Sequence, residues 1–331
     1  MVGFLKFFRV ISIIVLTVVV LMGCQNGNSD DVIKIGITQI VEHPALDRNR
    51  EGFIKGLESR GFIDGENIKI DVKNAQGDTA SAQLIADTFV SNKVDLIMAI
   101  ATPTAQAAKN ATMDHDIPVV FSAVTDPLAA GLVNTMETPG ENVTGTSDMT
   151  PISKQFELIK SLFPNKTKVG IIFNTGESNS QIQVDLAKSL ADEKGLTIIE
   201  KGITSSNEIQ DALISLLPDV DVLYVPTDNT VASAMPVVIE KATELNIPVI
   251  GSEKAHVESG ALITEGIDYF ELGFQTGLMA ADILEGKDPK SISVETLENT
   301  SLVINLDTAQ ELNITIPDSF KERGELIESG E

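Results

Sequence analysis

Cysteine is almost absent from this sequence of 331 residues, in which Cys24 is the only one. A disulfide within the chain is therefore excluded, and stability must come from packing. Histidine is also scarce, because His43, His115 and His256 are isolated from one another in the sequence. Without a spacing typical of metal ligands, we expect neither a metal nor a cofactor.

Basic residues are the second shortage. Lysine and arginine total 24 against 48 acids, which gives a formal net charge of −24. Proteins that bind nucleic acid neutralise phosphates with clustered cations, so a nucleic-acid partner is disfavoured. The acidic surplus itself is typical of a soluble surface.

Catalytic signatures are also missing. The sequence has no Gly-x-x-x-x-Gly-Lys-Ser/Thr phosphate loop and no Gly-x-Ser-x-Gly nucleophile elbow, which disfavours an ATPase and a hydrolase. Ser252 and His256 are four residues apart, as on one face of a helix, but no flanking catalytic pattern accompanies them. We therefore expect a protein that is not an enzyme.

Long hydrophobic runs are confined to the N-terminus. Lys6 and Arg9 precede an apolar run at 10–22, the pattern of an export signal. The run ends in Leu-Met-Gly-Cys at 21–24, which resembles a bacterial lipobox, and a polar segment follows. We predict a signal peptide at 1–23, lipidation of Cys24 and a tether at 24–31, with an uncleaved N-terminal helix as the alternative. Either way, the rest of the chain would work outside the cytoplasm, held at a membrane.

From residue 32 onward, short β-branched segments alternate with longer amphipathic ones, as in parallel sheets covered by helices. We predict a first set of strands at 32–38, 68–73, 94–100, 119–121 and 143–147, with helices at 44–60, 80–92, 103–113 and 151–163. A second set has strands at 169–173, 197–200, 220–225, 249–250 and 261–264, with helices at 180–194, 206–217 and 231–245. A helix at 269–284 and a strand at 301–304 follow, and they are too little for a third domain.

The chain therefore predicts an α/β fold of two doubly wound, Rossmann-like lobes joined by several hinge crossings. The predicted boundaries place 32–148 and 268–299 in lobe 1, and 149–267 and 300–331 in lobe 2. The crossings would lie near residues 147–148, 267–268 and 300. An internal repeat supports related lobes, because DIPVVFS at 116–122 matches NIPVIGS at 246–252 at four positions.

Ligands bind beyond the carboxyl ends of the strands in such sheets. Segments rich in small, hydroxylated or amide side chains follow five predicted strands, at 38–47, 101–108, 122–131, 174–181 and 226–233. Free backbone N–H groups at helix starts favour anions. Ordinary helix capping by Thr102, Ser122, Ser178 and Asp228 would explain any one loop without a ligand. Five such loops from two lobes predict a ligand cleft.

The segments GITQIVEHPALD at 36–47, ATPTAQAA at 101–108 and FSAVTDP at 121–127, together with the lipobox-like cysteine and the two lobes, resemble the substrate-binding lipoproteins of ABC transporters. The resemblance is to the type I periplasmic-binding-protein fold, in the branch associated with tryptophan and other aromatic amino acids. It implies a monomeric receptor, lipid-anchored on the extracytoplasmic face of the cell membrane. Such a receptor closes around a small-molecule ligand, here an amino acid, and the closed form is then recognised by the ABC permease subunits.

An amino-acid ligand sets requirements at each of its two charged ends. Its carboxylate needs hydroxyls and backbone amides, which we assign to Thr102, Thr104, Ser122 and Thr125. Its ammonium needs a desolvated carboxylate, for which Asp228 is the first candidate, Asp268 the second, and Asp126 and Glu177 further ones. Other polar contacts would come from Asn174, Ser178 and Asn179, and the entrance would be lined by Gln39 and His43. Because Trp is absent and only two Tyr occur, Phe121, Phe173, Phe270 or aliphatic walls would cover a ring.

Two alternatives stay open at this stage. A ligand sensor that docks on a membrane signalling protein would close in the same way. Aliphatic amino acids, nucleosides and sugars are the rival ligands.

Overall fold

The computed structural model describes residues 32–297 and 299–328. The predicted signal peptide, Cys24 and the tether lie outside the described residues. From Lys34 onward, the described residues form one compact unit. Among the described helices, none combines the length and the apolar character needed to cross a membrane.

The first lobe is built on a six-stranded sheet with the order β11-β5-β4-β3-β1-β2. Its strands are β1 (Ile33–Gln39), β2 (Ile68–Asn74), β3 (Leu96–Ile100), β4 (Val119–Val124), β5 (Val143–Ser147) and β11 (Glu295–Thr296). Its helices are α1 (Pro44–Ser59), α2 (Thr79–Ser91), α3 (Thr102–Thr112) and α10 (Tyr269–Leu284). The β1–β3, β3–β4, β4–β5 and β5–β11 pairs are parallel.

The register brings the carboxyl ends of these strands to one edge of the sheet. Gln39 pairs with Ile100, Ile100 with Ser122, and Val124 with Ser147. A register shift between Phe121 and Val124 marks a bulge in β4. The loops after β1, β3, β4 and β5 therefore leave the sheet side by side, where a ligand cleft is expected.

The second lobe has a seven-stranded sheet with the order β13-β12-β10-β9-β8-β6-β7. Its strands are β6 (Lys168–Asn174), β7 (Thr197–Ile203), β8 (Val222–Val225), β9 (Val249–Gly251), β10 (Ile263–Gly266), β12 (Ser301–Asn305) and β13 (Glu325–Ile327). Its helices are α4 (Ile152–Leu162), α5 (Ser178–Glu193), α6 (Ile209–Leu216), α7 (Asn229–Ala232), α8 (Met235–Glu244), α9 (Lys254–Glu258), α11 (Leu306–Glu311) and α12 (Asp318–Lys321). Only the β10–β12 pair is antiparallel among the described pairings.

Strand β6 shows why this sheet needs helices on both faces. Val169, Ile171 and Phe173 belong to one hydrophobic core, whereas Ile172 belongs to the core on the opposite face. Alternate side chains of a strand point to opposite faces, so a continuous apolar run is buried on both. The predicted fold class of two α/β lobes with mainly parallel sheets is confirmed.

Over the residues that the structure describes, the chain passes between the two sheets three times. It crosses between β5 and α4, between β10 and α10, and between β11 and β12. The exact lobe boundaries stay a prediction.

The predicted helix at 231–245 was wrong. The structure has two helices there, α7 and α8, separated by Ser233 and Ala234. Pro236 stands in the first turn of α8, where its missing N–H costs nothing, whereas a longer helix would place it in the interior.

Helices α1 and α10 pack with their backbones in close contact. A Cβ atom added to Gly52 would lie 2.0 Å from the Phe270 carbonyl oxygen, and one added to Gly273 would lie 1.9 Å from that of Asn49. Gly56 and Gly277 face each other in the same way. Because α1 begins after His43 and α10 begins at Tyr269, this contact fixes two residues at the junction of the lobes.

Candidate functional site

The backbone is strained where two strands of lobe 1 end. Ala101, directly after β3, has φ 80° and ψ 157°, a region occupied essentially by glycine. Ala123, in the β4 bulge, has φ 56°. Non-glycine residues in such conformations cost about 1–3 kcal/mol each and are concentrated at ligand sites.

Two buried acids come together at the junction of the lobes. Asp148 lies in the first crossing, and Glu253 follows β9 in lobe 2, where their exposures are only 4% and 2%. The Tyr269 hydroxyl, at the start of α10, donates to Asp148 Oδ2 over 2.7 Å and also lies against Glu253. The Thr125 hydroxyl donates to Asp148 Oδ1 over 3.2 Å. One tyrosine therefore joins the crossing, lobe 1 and lobe 2.

Two histidines flank Glu253. His256 Nε2 lies 3.2 Å from Glu253 Oε1, and His43 Nδ1 of the opposite lobe lies 3.9 Å from the same oxygen. The Ser252 backbone N–H donates to His256 Nδ1 over 3.3 Å, so that nitrogen carries no proton. Among the described residues, Ser252 Oγ forms no hydrogen bond, and both ring nitrogens of His256 face other groups.

The electrostatics of this group favour an added cation. Within the described part of the chain, no lysine or arginine lies at ion-pair distance from Asp148 or Glu253. Burial raises the pKa of Asp148, and burial together with Asp148 raises the pKa of Glu253 to about 8. Burial lowers the pKa of His43 to about 4 and of His256 to about 3, so both rings are neutral at pH 7.

A second acid pair holds together the loops of lobe 2. Glu177 accepts hydrogen bonds from both the backbone and the side chain of Asn229 and of Thr230. Asp228 accepts from the Asn174 N–H over 2.6 Å and from the Val231 N–H over 2.8 Å, which makes it the N-cap of α7. Burial first, and then the nearby Glu177, raises the pKa of Asp228.

Several predicted site residues already form hydrogen bonds to other residues of the protein. The Gln39 amide donates to Val41 and Asp47 and accepts from Arg50. The Thr104 hydroxyl contacts the carbonyl oxygens of Ile100 and Ala101. The Ser122 hydroxyl is bonded to Asn49, Thr146 and Thr276. These three residues support the loops, and their roles toward a ligand stay predictions.

Three other candidates lie toward solvent. Asp268 is exposed and caps α10 by accepting from the N–H groups of Phe270 and Glu271. Asp126 accepts from the backbone of Leu128 and Ala129, and Ser178 is exposed at the start of α5. The structure does not place these three residues with the two buried acids, Asp148 and Glu253.

The remaining candidates carry buried polar atoms that form no hydrogen bond to the described residues. They are the Thr102 hydroxyl, both ring nitrogens of His43 and the Asn179 amide oxygen. The Asn179 amide nitrogen is held by Glu177 and Thr227. Buried polar groups are normally hydrogen-bonded, so unpaired ones at the strand ends of both lobes make this junction the candidate ligand site.

Sequence reasoning missed Asp148, Ser252, Glu253 and Tyr269 as site residues. One signal was available for two of them. The repeat that aligns DIPVVFS with NIPVIGS matches Ser122 with Ser252, so the loop after β9 corresponds to the loop after β4. The two phenylalanines Phe121 and Phe173 lie in the hydrophobic cores instead of at the junction.

A cavity of about 170 Å³ opens beside this group between the lobes. Ile40, Val41 and Gly77 line it from lobe 1, and Thr204 and Asn229 from lobe 2. Asn229 also lies against His43, so the cavity and the buried acids are neighbours. Among the described residues, no group of three or more His, Cys, Asp or Glu is placed to hold a metal ion.

Comparison with known proteins identifies relatives over nearly the whole chain. A family model described as ABC transporter substrate binding protein matches residues 34–325. A relative from Clostridioides difficile (strain R20291), named a tyrosine-binding protein, is 48% identical in an alignment of 325 positions that covers 94% of each chain.

Two solved structures differ in how well they superpose. A Streptococcus pneumonia domain in complex with L-Trp is 39% identical, has a TM-score of 0.86 and is covered at 100%, with 89% of this chain matched. A ligand-free, open substrate binding protein from Clostridium difficile is 50% identical, but its TM-score is 0.68, with 90% of this chain and 99% of that chain matched. The ligand-free, open structure therefore superposes less well than the complex with L-Trp, although its sequence is the more similar.

Proposed function

Because the chain belongs to the family of ABC transporter substrate binding proteins, we propose that it captures an aromatic L-amino acid by closing its two lobes around it. The family consists of solute-binding proteins that work outside the cytoplasm, and we propose no catalytic step. The observation that carries the proposal is the set of buried, unpaired polar atoms contributed by both lobes. Such atoms are expensive unless a ligand satisfies them.

The chemistry of the junction fits an amino acid. A carboxylate needs hydrogen-bond donors, and the Thr102 and Ser252 hydroxyls are buried without a partner among the described residues. An ammonium needs an acid, and Glu253 and Asp148 are buried there without lysine or arginine. One small molecule with both charges satisfies both lobes at once.

An aromatic side chain is supported by the relatives and by the cavity. The relative named a tyrosine-binding protein and the complex with L-Trp both concern aromatic amino acids. The cavity beside Asn229 is lined by the apolar residues Ile40 and Val41 and by the polar residues Ser205 and Ser206. A ring bearing a hydroxyl group suits such a mixed lining.

Closure is the mechanism that this arrangement supports. A ligand shifts an equilibrium only by its difference in affinity for the two states. His43 of lobe 1 meets Glu253 of lobe 2 only when the lobes are together, so a solute bridging them stabilises the closed form alone. The closed receptor would then deliver its solute to the ABC permease subunits.

We further propose that the protein is monomeric and held on the extracytoplasmic face of the cell membrane by lipid on Cys24. The sequence-based assignments of Asp228, Asp268 and Asp126 to the ligand amine stay untested predictions. Asp228 has both carboxylate oxygens engaged by backbone N–H groups, which makes it a support for the loop of lobe 2.

The test is isothermal titration calorimetry of the purified chain in detergent. L-tyrosine, L-tryptophan and L-phenylalanine are titrated, with L-leucine, L-glutamate, uridine and galactose as comparison solutes. The proposal predicts saturable binding of at least one aromatic amino acid and weaker or no binding of the others. Tighter binding of a comparison solute than of every aromatic amino acid would contradict it.

A further inference from the structure

We infer that Glu253 is the carboxylate that receives the solute's primary amine, and that through it the receptor rejects solutes that carry no amine. This inference rests on the proposed function, because it assigns a role within the same site. The inference concerns recognition of the solute's amine, whereas the proposed function concerns the solute's aromatic side chain.

The position of Glu253 supports this role. Glu253 precedes α9 but does not use its side chain to cap that helix. Instead, the carboxyl group is buried against His43 of the opposite lobe, with Oε1 3.9 Å from His43 Nδ1. Within the described residues, Oε1 accepts no hydrogen bond of good geometry. A buried carboxylate oxygen at a lobe junction therefore has room in its coordination for one more donor.

The neighbouring groups cannot neutralise Glu253. His256 faces it through Nε2, but His256 Nδ1 accepts the Ser252 N–H, and a doubly protonated ring would lose that bond. His43 is buried beside Asn229 and is neutral at pH 7. Asp148 and Glu258 add negative charge, and the Tyr269 hydroxyl is shared with Asp148.

The positive charge that neutralises Glu253 must therefore come from the solute's ammonium group or from a bound proton. Separation of the lobes would expose Glu253 to water, which favours the charged carboxylate and lowers its pKa toward the ordinary value of 4.5. Closure without an amine buries the acid, whose pKa rises to about 8. At pH 7, closure around a solute lacking an amine therefore takes up about one proton, whereas closure around an ammonium takes up none.

The difference in proton uptake between the two solutes makes their affinities depend differently on pH. A pKa that is higher in the closed form than in the open form favours closure at low pH, so affinity for a solute lacking an amine falls as the pH rises toward 8, by at most about tenfold per pH unit. Affinity for the amino acid stays level over the same range, because its ammonium replaces the proton. The preference for the amine therefore grows as the pH rises.

Two acids of lobe 2 are less suited to the same role. Asp228 already accepts from Asn174 and Val231, and Glu177 accepts from Asn229 and Thr230. Both carboxylates are therefore satisfied by their own lobe. Glu253 differs because it faces the other lobe with an unpaired oxygen.

The experiment compares L-tyrosine with 3-(4-hydroxyphenyl)propanoate, which lacks only the amine. Calorimetry of the full chain in detergent at pH 7.5, in two buffers of different ionisation enthalpy, gives affinity and proton uptake together. For the wild type we expect the propanoate to bind at least about 30-fold more weakly than L-tyrosine and to take up a proton. For Glu253→Gln we expect a preference below about threefold, because the glutamine cannot pair with the ammonium.

Glu271→Gln is the matched control, because Glu271 is an exposed acid in the first turn of α10. It should keep the wild-type preference. If Glu253→Gln keeps the preference while L-tyrosine binds, the inference is overturned and the proposed function stands. Loss of the preference in Asp228→Asn, with Glu253→Gln unchanged, overturns it equally.

The wild type alone also decides the matter if Glu253→Gln fails to fold. The ratio of the two affinities should rise between pH 5 and pH 8, and a ratio independent of pH overturns the inference. If no aromatic amino acid binds, the proposed function fails. The inference is then judged by the same criterion with L-leucine and 4-methylpentanoate.

Discussion

Replacing Gly273 by alanine should destabilise the protein even though alanine is the better helix former. The added Cβ would lie 1.9 Å from the Asn49 carbonyl oxygen, and real Cβ atoms essentially never lie within 3.0 Å of another heavy atom. The oxygen belongs to the backbone of α1, so it cannot rotate away as a side chain would. Relief requires the two helices to separate by about 1 Å, in a core packed as densely as a crystal.

Two terms of opposite sign set the magnitude. Glycine in a helix interior costs about 1 kcal/mol relative to alanine, so the substitution gains that amount. Overpacking costs about 1–3 kcal/mol and occasionally more, and contact with backbone places this site at the upper end. We expect the free energy of unfolding to fall by about 2 kcal/mol, measured by urea denaturation followed by circular dichroism.

The control is Glu271→Ala in the same helix, on its exposed face. It should change the free energy of unfolding by less than about 0.5 kcal/mol. If Gly273→Ala is as stable as the wild type or more stable, helix propensity outweighs packing, and the close contact of α1 and α10 does not hold the fold as described.

Three further predictions concern the junction. Tyr269→Phe removes the hydroxyl that donates to Asp148. Because a hydrogen bond to a charged group contributes about 1.5–3 kcal/mol, the affinity for L-tyrosine, measured by calorimetry, should fall by at least about tenfold. Arg48→Ala breaks the 3.1 Å ion pair with Glu258 that joins the lobes at the surface, so affinity should fall by no more than about fivefold and the loss should vanish in 1 M salt. His256 is neutral in the fold, with a pKa of about 3 against 6.5 in the unfolded chain, so acid destabilises the ligand-bound protein below pH 6.5. His256→Asn should reduce the loss of unfolding free energy by up to about 1.4 kcal/mol per pH unit between pH 6.5 and pH 4. If the urea midpoint falls with pH as steeply in the variant as in the wild type, this prediction is wrong.

Much of the fold could be predicted because the hydrophobic pattern is strong. The helix predicted at 269–284 has those bounds in the structure, and the strand predicted at 143–147 does too. Short elements escaped prediction, among them α9, β11 and β13. Two to five residues carry too little periodicity, and such segments are fixed by tertiary contacts.

The site was less predictable than the fold for a physical reason. The sequence identifies which loops follow strands, and His43, Thr102 and Asn179 do carry unpaired buried atoms. Whether a polar side chain is satisfied by its own loop depends on contacts between distant segments. Ser122 is bonded to Thr276, 154 residues away, and Asp148 to Tyr269, 121 residues away.

The central claim is that an aromatic amino acid draws the two lobes together, and the distance between the lobes tests it directly. Because Cys24 is the only native cysteine, spin labels can be placed on Thr79→Cys in lobe 1 and Asn207→Cys in lobe 2, in a Cys24→Ser background. Both sites are exposed, and they lie within two residues of Gly77 and Ser206, which line the cavity. Double electron–electron resonance should show a broad, longer distance without solute and a shorter, narrower one with saturating L-tyrosine or L-tryptophan. A distance distribution unchanged by every aromatic amino acid that calorimetry shows to bind would contradict the account.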